Sequence, residues 1–207
     1  MKNGGSVDYI RLNGETLNPT RPGKNNTRSF HQRAAIVTDR TKVAIVAWDG
    51  TPGWEEKLPG EDVMVTGPLL LQNGSRTTLD TTSFFTARHP RTALALKGNR
   101  LLLITVDGRN NRAAGMSLPE LASLLKWLKA EQGINLDGGG STTMWVKGFP
   151  DSGVVNHPSD NQKLMQTAAY KQGMDLDNLA ADTQKWDHGG ERPVANAIIV
   201  SPKKANQ

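Results

Sequence analysis

Between residues 100 and 137 the chain spells out a strand, a helix and a second strand in close succession. RLLLITV (100–106) is apolar almost throughout. Ser117 followed by Glu120 forms a capping box, and Pro119 falls in the first turn, where its missing N–H costs nothing. Leu118, Leu121, Ala122, Leu124, Leu125 and Leu128 then recur at helical spacing, predicting a helix over 117–131 that Gly133 ends. A short strand, 133–137, follows. Strand, packed helix and return strand make a crossover, so strands 100–106 and 133–137 should run parallel. The continuous apolar character of 100–106 predicts a strand covered on both faces.

Strand signals fill most of the remainder. VDYIRL (7–12) alternates, and AAIVT (34–38) with KVAIVAW (42–48) flanks Asp39 and Arg40 in a hairpin pattern. GPLLLQNG (67–74) is a short apolar run closed by Asn-Gly, and TALAL (92–96) joins the strand at 100 through KGN. VANAIIV (194–200) predicts a final strand. The polar, weakly periodic stretch 161–187 is expected to be an inserted excursion with a short helix near 176–185. The expected fold is therefore α/β: one domain over residues 1–207, a twisted mixed β-sheet with the helix packed on it. Its active site would be built from loops at the sheet rim.

Composition narrows the partners. No run approaches the ~18 apolar residues of a membrane span, and MKNGGSVDYI has no apolar core of signal-peptide type. With no cysteine, disulfide and thiolate chemistry are absent. The net charge of +5 favours anionic partners. Runs of five or more basic residues and zinc-finger spacing are both missing, and aromatics are only 5%, so no nucleic-acid partner is expected.

The chemistry concentrates at INLDGGGSTTMWV (134–146) and DGRN (107–110). Asp107 and Asp137 each end an apolar strand. If those strands are parallel, both carboxylates emerge at one rim, where α/β proteins gather ligands. Such a pair can supply a nucleophile or base near a reacting carbon; the plainer reading is that each closes a turn. Gly138, Gly139 and Gly140 leave bare backbone whose N–H groups could converge on an anion, with the hydroxyls of Ser141 and Thr142 adding donors. Arg91, Arg109 and Arg192 border strands at loop junctions and suit an anionic substrate. Neither a Walker loop, a dinucleotide fingerprint nor GxSxG is present. His89, His157 and His188 lack zinc-site spacing. No cofactor is required by these residues; calcium or another divalent cation, held by Asp and backbone oxygens, stays open.

At these residues a resemblance emerges. VDGRNNRAAGMSLPELASLLKWL, INLDGGGSTTMWV, VVNHPSDN and GERPVANAIIV, with VTGPLLLQNG and HPRTALAL, resemble the phosphodiester glycosidase family over roughly residues 62–200. Its members include the enzyme that uncovers mannose 6-phosphate on lysosomal proteins. The resemblance implies a hydrolase that cleaves the glycosidic bond of a sugar 1-phosphate diester, such as one of N-acetylglucosamine. Free sugar would be released and phosphate left on the partner, a phosphorylated glycan, exopolysaccharide or cell-envelope polymer. Carried over by motif, it implies Asp137, Asp107 and Glu191 as catalytic groups. Arg91, Arg109, Gly139, Gly140, Ser141, Thr142, Asp160 and Arg192 would bind substrate. The alternative is a phosphoglycan-binding module of the same fold without turnover. Periplasmic or secreted location is implied too. Family members carry an upstream strand segment leading into a stretch like KNGGSVDYI, so the chain is expected to be truncated or alternatively started, losing an export signal. They also pass from PSD to ERPVAN quickly, where this chain inserts 161–187.

Overall fold

The computed structural model describes residues 5–21, 27–39, 41–150, 152–160 and 186–202. The helix expected near 176–185, with nearly all of the excursion, lies outside them. Two five-stranded sheets dominate. The first contains β1 (Ile10–Leu12), β2 (Glu15–Asn18), β3 (Ala34–Thr38), β4 (Val43–Ala47) and β5 (Asp62–Thr66), in the order β2-β1-β5-β3-β4. The second contains β6 (Leu69–Gln72), β7 (Ser75–Arg76), β8 (Arg91–Lys97), β9 (Arg100–Val106) and β10 (Gln132–Asn135), in the order β7-β6-β10-β8-β9. The helices are α1 (Ser83–Thr86) and α2 (Leu118–Trp127).

Side-chain alternation explains how the layers stack. Ala34 and Ile36 of β3 join Leu94 and Ile134 in a cluster of buried apolar residues from both sheets, while Ala35 and Val37 pack on the opposite face with Trp54 and Leu58. In β8, Leu94 belongs to the cluster shared by both sheets, whereas Ala93 and Ala95 pack with α2. Leu118, Leu121 and Leu125 of α2 are fully buried, each contributing roughly 1.5–3 kcal/mol.

The α/β class holds, with the helix packed on a sheet. The expected single mixed sheet is instead two sheets whose recorded pairings are all antiparallel. Strands β9 and β10 do run parallel to each other, because each pairs antiparallel with β8 between them. That arrangement makes β8, rather than β9, the strand buried on both faces; β9 is an edge, with Leu103 39% exposed. Residues 194–200 join neither sheet. Ile198 packs on the cluster shared by both sheets while Ile199 and Val200 stay exposed, so one contact replaces a ladder. Nor does Gly133 end the helix: Leu128 caps it, Lys129 takes a left-handed φ of 61°, and Gly133 sits inside β10. A Cβ there would collide with Leu125, so this glycine sets how closely α2 approaches β10.

The capping box forms as expected. Ser117 Oγ accepts the Glu120 N–H at 3.3 Å, and Glu120 accepts the Ser117 N–H at 2.9 Å. Arg88 also pairs with Glu120. The Arg88 hydrogen bond, followed by the Ser117 contacts, pulls the Glu120 carboxyl down to about 2. Because the folded value lies below the unfolded one, this stabilisation is complete above the ordinary glutamate range and is lost as pH falls toward 2. Glu120→Gln should therefore lower the melting temperature at pH 7, with the gap to wild type closing between about pH 4.5 and 2 in thermal unfolding scans.

Candidate active site

Antiparallel pairing places the start of β8 beside the ends of β9 and β10: Arg91 lies opposite Val106, and Ala93 opposite Asn135. One rim therefore collects His89, Arg91, Asp107, Arg109 and Asp137. It opens on a cleft of about 1220 Å³ lined by both sheets and by residues 191–200, apart from Pro193.

The glycine run begins three residues after the end of β10, and this segment is pinned to the start of β8, where Leu136 donates to the Thr92 carbonyl and Gly139 to the Pro90 carbonyl, both at 2.9 Å. A Cβ on Gly138 would sit 2.7 Å from the Pro90 oxygen. Gly139 has φ +60°, and a Cβ there would lie 3.0 Å from Arg109 Nη1. On Gly140 a Cβ would overlap the Asp160 carboxylate. The glycines thus make room for a guanidinium and a carboxylate to lie against the backbone.

An anion-binding nest of N–H groups is not what forms. Gly138 donates to Asp137 Oδ1 at 2.9 Å, Ser141 to the Gly138 carbonyl and Thr142 to the Gly139 carbonyl, so these donors are internally bonded. The tight 3-10 turn Gly139–Ser141 takes up the Ser141 and Thr142 N–H groups.

Positive charge is supplied by arginine. Arg109 lies over Gly139 with its Nη2 3.5 Å from His89 Nδ1, and its buried Nε has no protein partner. Among the described residues no carboxylate pairs with it. Arg91 is 3% exposed; it donates to the carbonyls of Met116, Phe84 and Ala87 and lies 5.3 Å over the Phe84 ring. Burial first, and then the Arg109 charge, push the Arg91 guanidinium down to about 10. Two neighbouring cations at a partly desolvated rim favour an anion. Arg192 differs, because Asp160 already holds it at 2.6 Å.

The carboxylates separate into two kinds. Asp137 is exposed and lines the cleft, as does Glu191. Asp107 is absorbed by structure: its Oδ1 accepts Asn156 Nδ2 at 3.1 Å and the His157 N–H at 2.9 Å, and it does not line the cleft. The two aspartates therefore differ in surroundings: Asp107 Oδ1 is held by Asn156 and His157, whereas Asp137 lines the cleft. Thr142 is 1% exposed with its hydroxyl against Thr92, so it too is a packing residue, whereas Ser141 lines the cleft.

Asn135, two residues before Asp137, was not singled out by its sequence context. It is 2% exposed, donates to the carbonyls of Gly67 (3.2 Å) and Leu136 (2.7 Å), and leaves Oδ1 without a protein partner at the cleft. The alternation of Asn135 with Asp137 was its only signal. Asn156, from the VVNHPSDN motif, bridges Asp107, the Thr142 carbonyl and the Met144 N–H. Among the described residues no three His, Asp or Glu side chains gather in a set able to hold a metal ion. No described helix is long and apolar enough to cross a membrane.

The sequence model of phosphodiester glycosidases matches residues 1–201. The chain belongs to the phosphodiester glycosidase family. No curated protein matches it significantly. Among solved structures, the fold of this phosphodiester glycosidase is similar to the zebrafish N-acetylglucosamine-1-phosphodiester alpha-N-acetylglucosaminidase catalytic domain, auto-inhibited by its pro-peptide. The two share 23% identity at a TM-score of 0.54, over 76% of this chain and 55% of that one. The chain thus spans about half the length of that structure. A proposed exported protein from Burkholderia pseudomallei gives 28% identity at a TM-score of 0.41, over 57% and 26% of the two chains. A hypothetical Synechocystis protein gives 20% identity at 0.37, over 65% and 36%.

Two substitutions test this geometry. Asp107→Ala strips partners from Asn156 and the His157 N–H and should cost about 2–3 kcal/mol in denaturant unfolding, while the folded protein still binds a sugar 1-phosphate. Gly140→Ala should do the reverse. It keeps the circular dichroism spectrum but displaces Asp160 and Arg192, weakening that ligand in calorimetry.

Proposed function

We propose that this phosphodiester glycosidase hydrolyses the glycosidic bond of a sugar 1-phosphate diester, releasing free sugar and leaving phosphate on a glycan or cell-envelope polymer. The observation that carries this reading is the Arg109 guanidinium, which has no carboxylate partner among the described residues, lying over Gly139 on the cleft that the exposed Asp137 carboxylate also lines. A cation and a nucleophile on bare backbone suit a substrate whose anomeric carbon carries a phosphate.

Phosphate is a good leaving group, its second pKa being about 6, so a strong general acid is less needed than in ordinary glycoside hydrolysis. Arg109 stabilises the departing charge, with the Arg91 charge behind it. Asp137 attacks the anomeric carbon; the electron pair of the bond to phosphate oxygen leaves with the phosphate. Ser141 and the Asp160–Arg192 pair border the same loop and position the substrate. N-acetylglucosamine is the first sugar to test, by analogy with the activity named for the zebrafish protein. A cell-envelope substrate places the protein in the periplasm or outside the cell.

Asp137→Asn should abolish sugar release from a sugar-phospho-sugar substrate while leaving binding and folding intact, since the amide is isosteric but not nucleophilic. Arg109→Ala should weaken a non-hydrolysable diester by about 1.5–3 kcal/mol in calorimetry. Full activity in Asp137→Asn would move the chemistry to Glu191, an exposed carboxylate that also lines the cleft. Binding without turnover in wild type would make the protein a phosphoglycan-binding module.

A further inference from the structure

The cleft that Asp137 lines also holds a second set of hydrogen-bonded side chains, from segments that lead into β1 and β3. His31 lies in the 3-10 turn Phe30–Gln32 that leads into β3, and both Asp8 and His31 line the cleft. Asp8 Oδ2 lies 2.5 Å from His31 Nδ1, and Asp8 Oδ1 accepts Gln32 Nε2 at 2.9 Å. Gln32 is fixed in turn, because its Oε1 accepts the Ser29 N–H at 3.3 Å. A carboxylate that is 8% exposed thus spends both oxygens on one turn, and one of them fixes an imidazole. The other ring nitrogen, Nε2, lies 2.7 Å from Ser29 Oγ, on an exposed residue.

An aspartate on Nδ1 sets the tautomer that leaves Nε2 able to accept a proton, and it stabilises the imidazolium that results. A histidine serving only to tie β1 to the turn would bury both nitrogens; here the ring is 36% exposed. We propose that His31 is a catalytic general base, with Asp8 as its positioning residue, for the water that completes hydrolysis of the glycosyl group. The proposal rests on the reading of Asp137 as nucleophile. Once the phosphate has left, the sugar is esterified to Asp137. Water attacks the anomeric carbon, its proton passes to His31 Nε2, and the electron pair of the ester bond returns to the Asp137 carboxylate. Ser29 Oγ occupies Nε2 at rest and is displaced by that water.

The experiment compares wild type with His31→Ala, His31→Gln and Ser29→Ala, using a sugar-phospho-sugar substrate and checking folding by circular dichroism. Both His31 variants should lose about 100-fold or more in kcat, the range of one general base, and KM should fall with it because the glycosyl ester accumulates, leaving kcat/KM near the wild-type value. Added imidazole should restore part of the rate to His31→Ala alone, which a structural role would not permit. Ser29→Ala should retain activity. A kcat close to wild type in either folded His31 variant, or no rescue by imidazole, overturns the proposal while leaving sugar release by wild type, and so the proposed function, standing. If wild type releases no sugar, that function falls instead. His31 is then judged by its ring nitrogen resonances during titration with N-acetylglucosamine 1-phosphate: movement keeps it at the ligand site, and unmoved signals overturn it.

Discussion

Three consecutive glycines after β10 give up their side chains to other groups. The Pro90 carbonyl, the Arg109 guanidinium and the Asp160 carboxylate occupy the space where Cβ atoms of Gly138, Gly139 and Gly140 would stand. Ordering so bare a segment is entropically costly, and its hydrogen bonds to the start of β8 offset that cost. Asp137 takes its position from this packing. It lies two residues past β10, immediately before the glycines, and stays exposed while the flanking backbone is held at Thr92 and Pro90.

Charge at this rim is unbalanced in one direction. Asp160 answers Arg192, and Glu120 answers Arg88, but Arg109 has no such carboxylate among the described residues. Arg91 is held by carbonyl dipoles rather than an opposite charge, and its depressed pKa records the tension with burial and with Arg109. A bound anion relieves both cations. An anionic leaving group therefore suits this rim better than the neutral leaving group of ordinary glycoside hydrolysis. Asp8 and His31, hydrogen-bonded to each other, line the same cleft.

Local signals in the sequence predicted local structure well. The Ser117–Glu120 box, the 34–38 and 100–106 strands and the parallel run of β9 and β10 all follow from capping chemistry and periodicity. Pairing partners are nonlocal and were less legible. An apolar run such as 100–106 fits a central strand, yet the insertion of β8 between β9 and β10 leaves it at an edge. The apolar pattern at 194–200 likewise carries no information about whether a ladder partner is within reach. At the site, the motifs brought Asp137, Arg109, Gly139, Gly140, Asp160 and Arg192 together. They could not reveal that Asp107 Oδ1 is held by Asn156 and His157, or that the Gly139 N–H is taken by the Pro90 carbonyl. Side-chain commitments of that kind depend on residues about fifty positions away.

In the proposed reaction Arg109, seated on the glycine turn, receives the substrate phosphate while Asp137 faces the anomeric carbon. A crystal structure of Asp137→Asn soaked with N-acetylglucosamine 1-phosphate tests it most directly. The account predicts phosphate oxygens within hydrogen-bonding distance of the Arg109 guanidinium, with the anomeric carbon directed at residue 137. Phosphate bound elsewhere in the cleft, or a sugar whose anomeric carbon points away from residue 137, would contradict it.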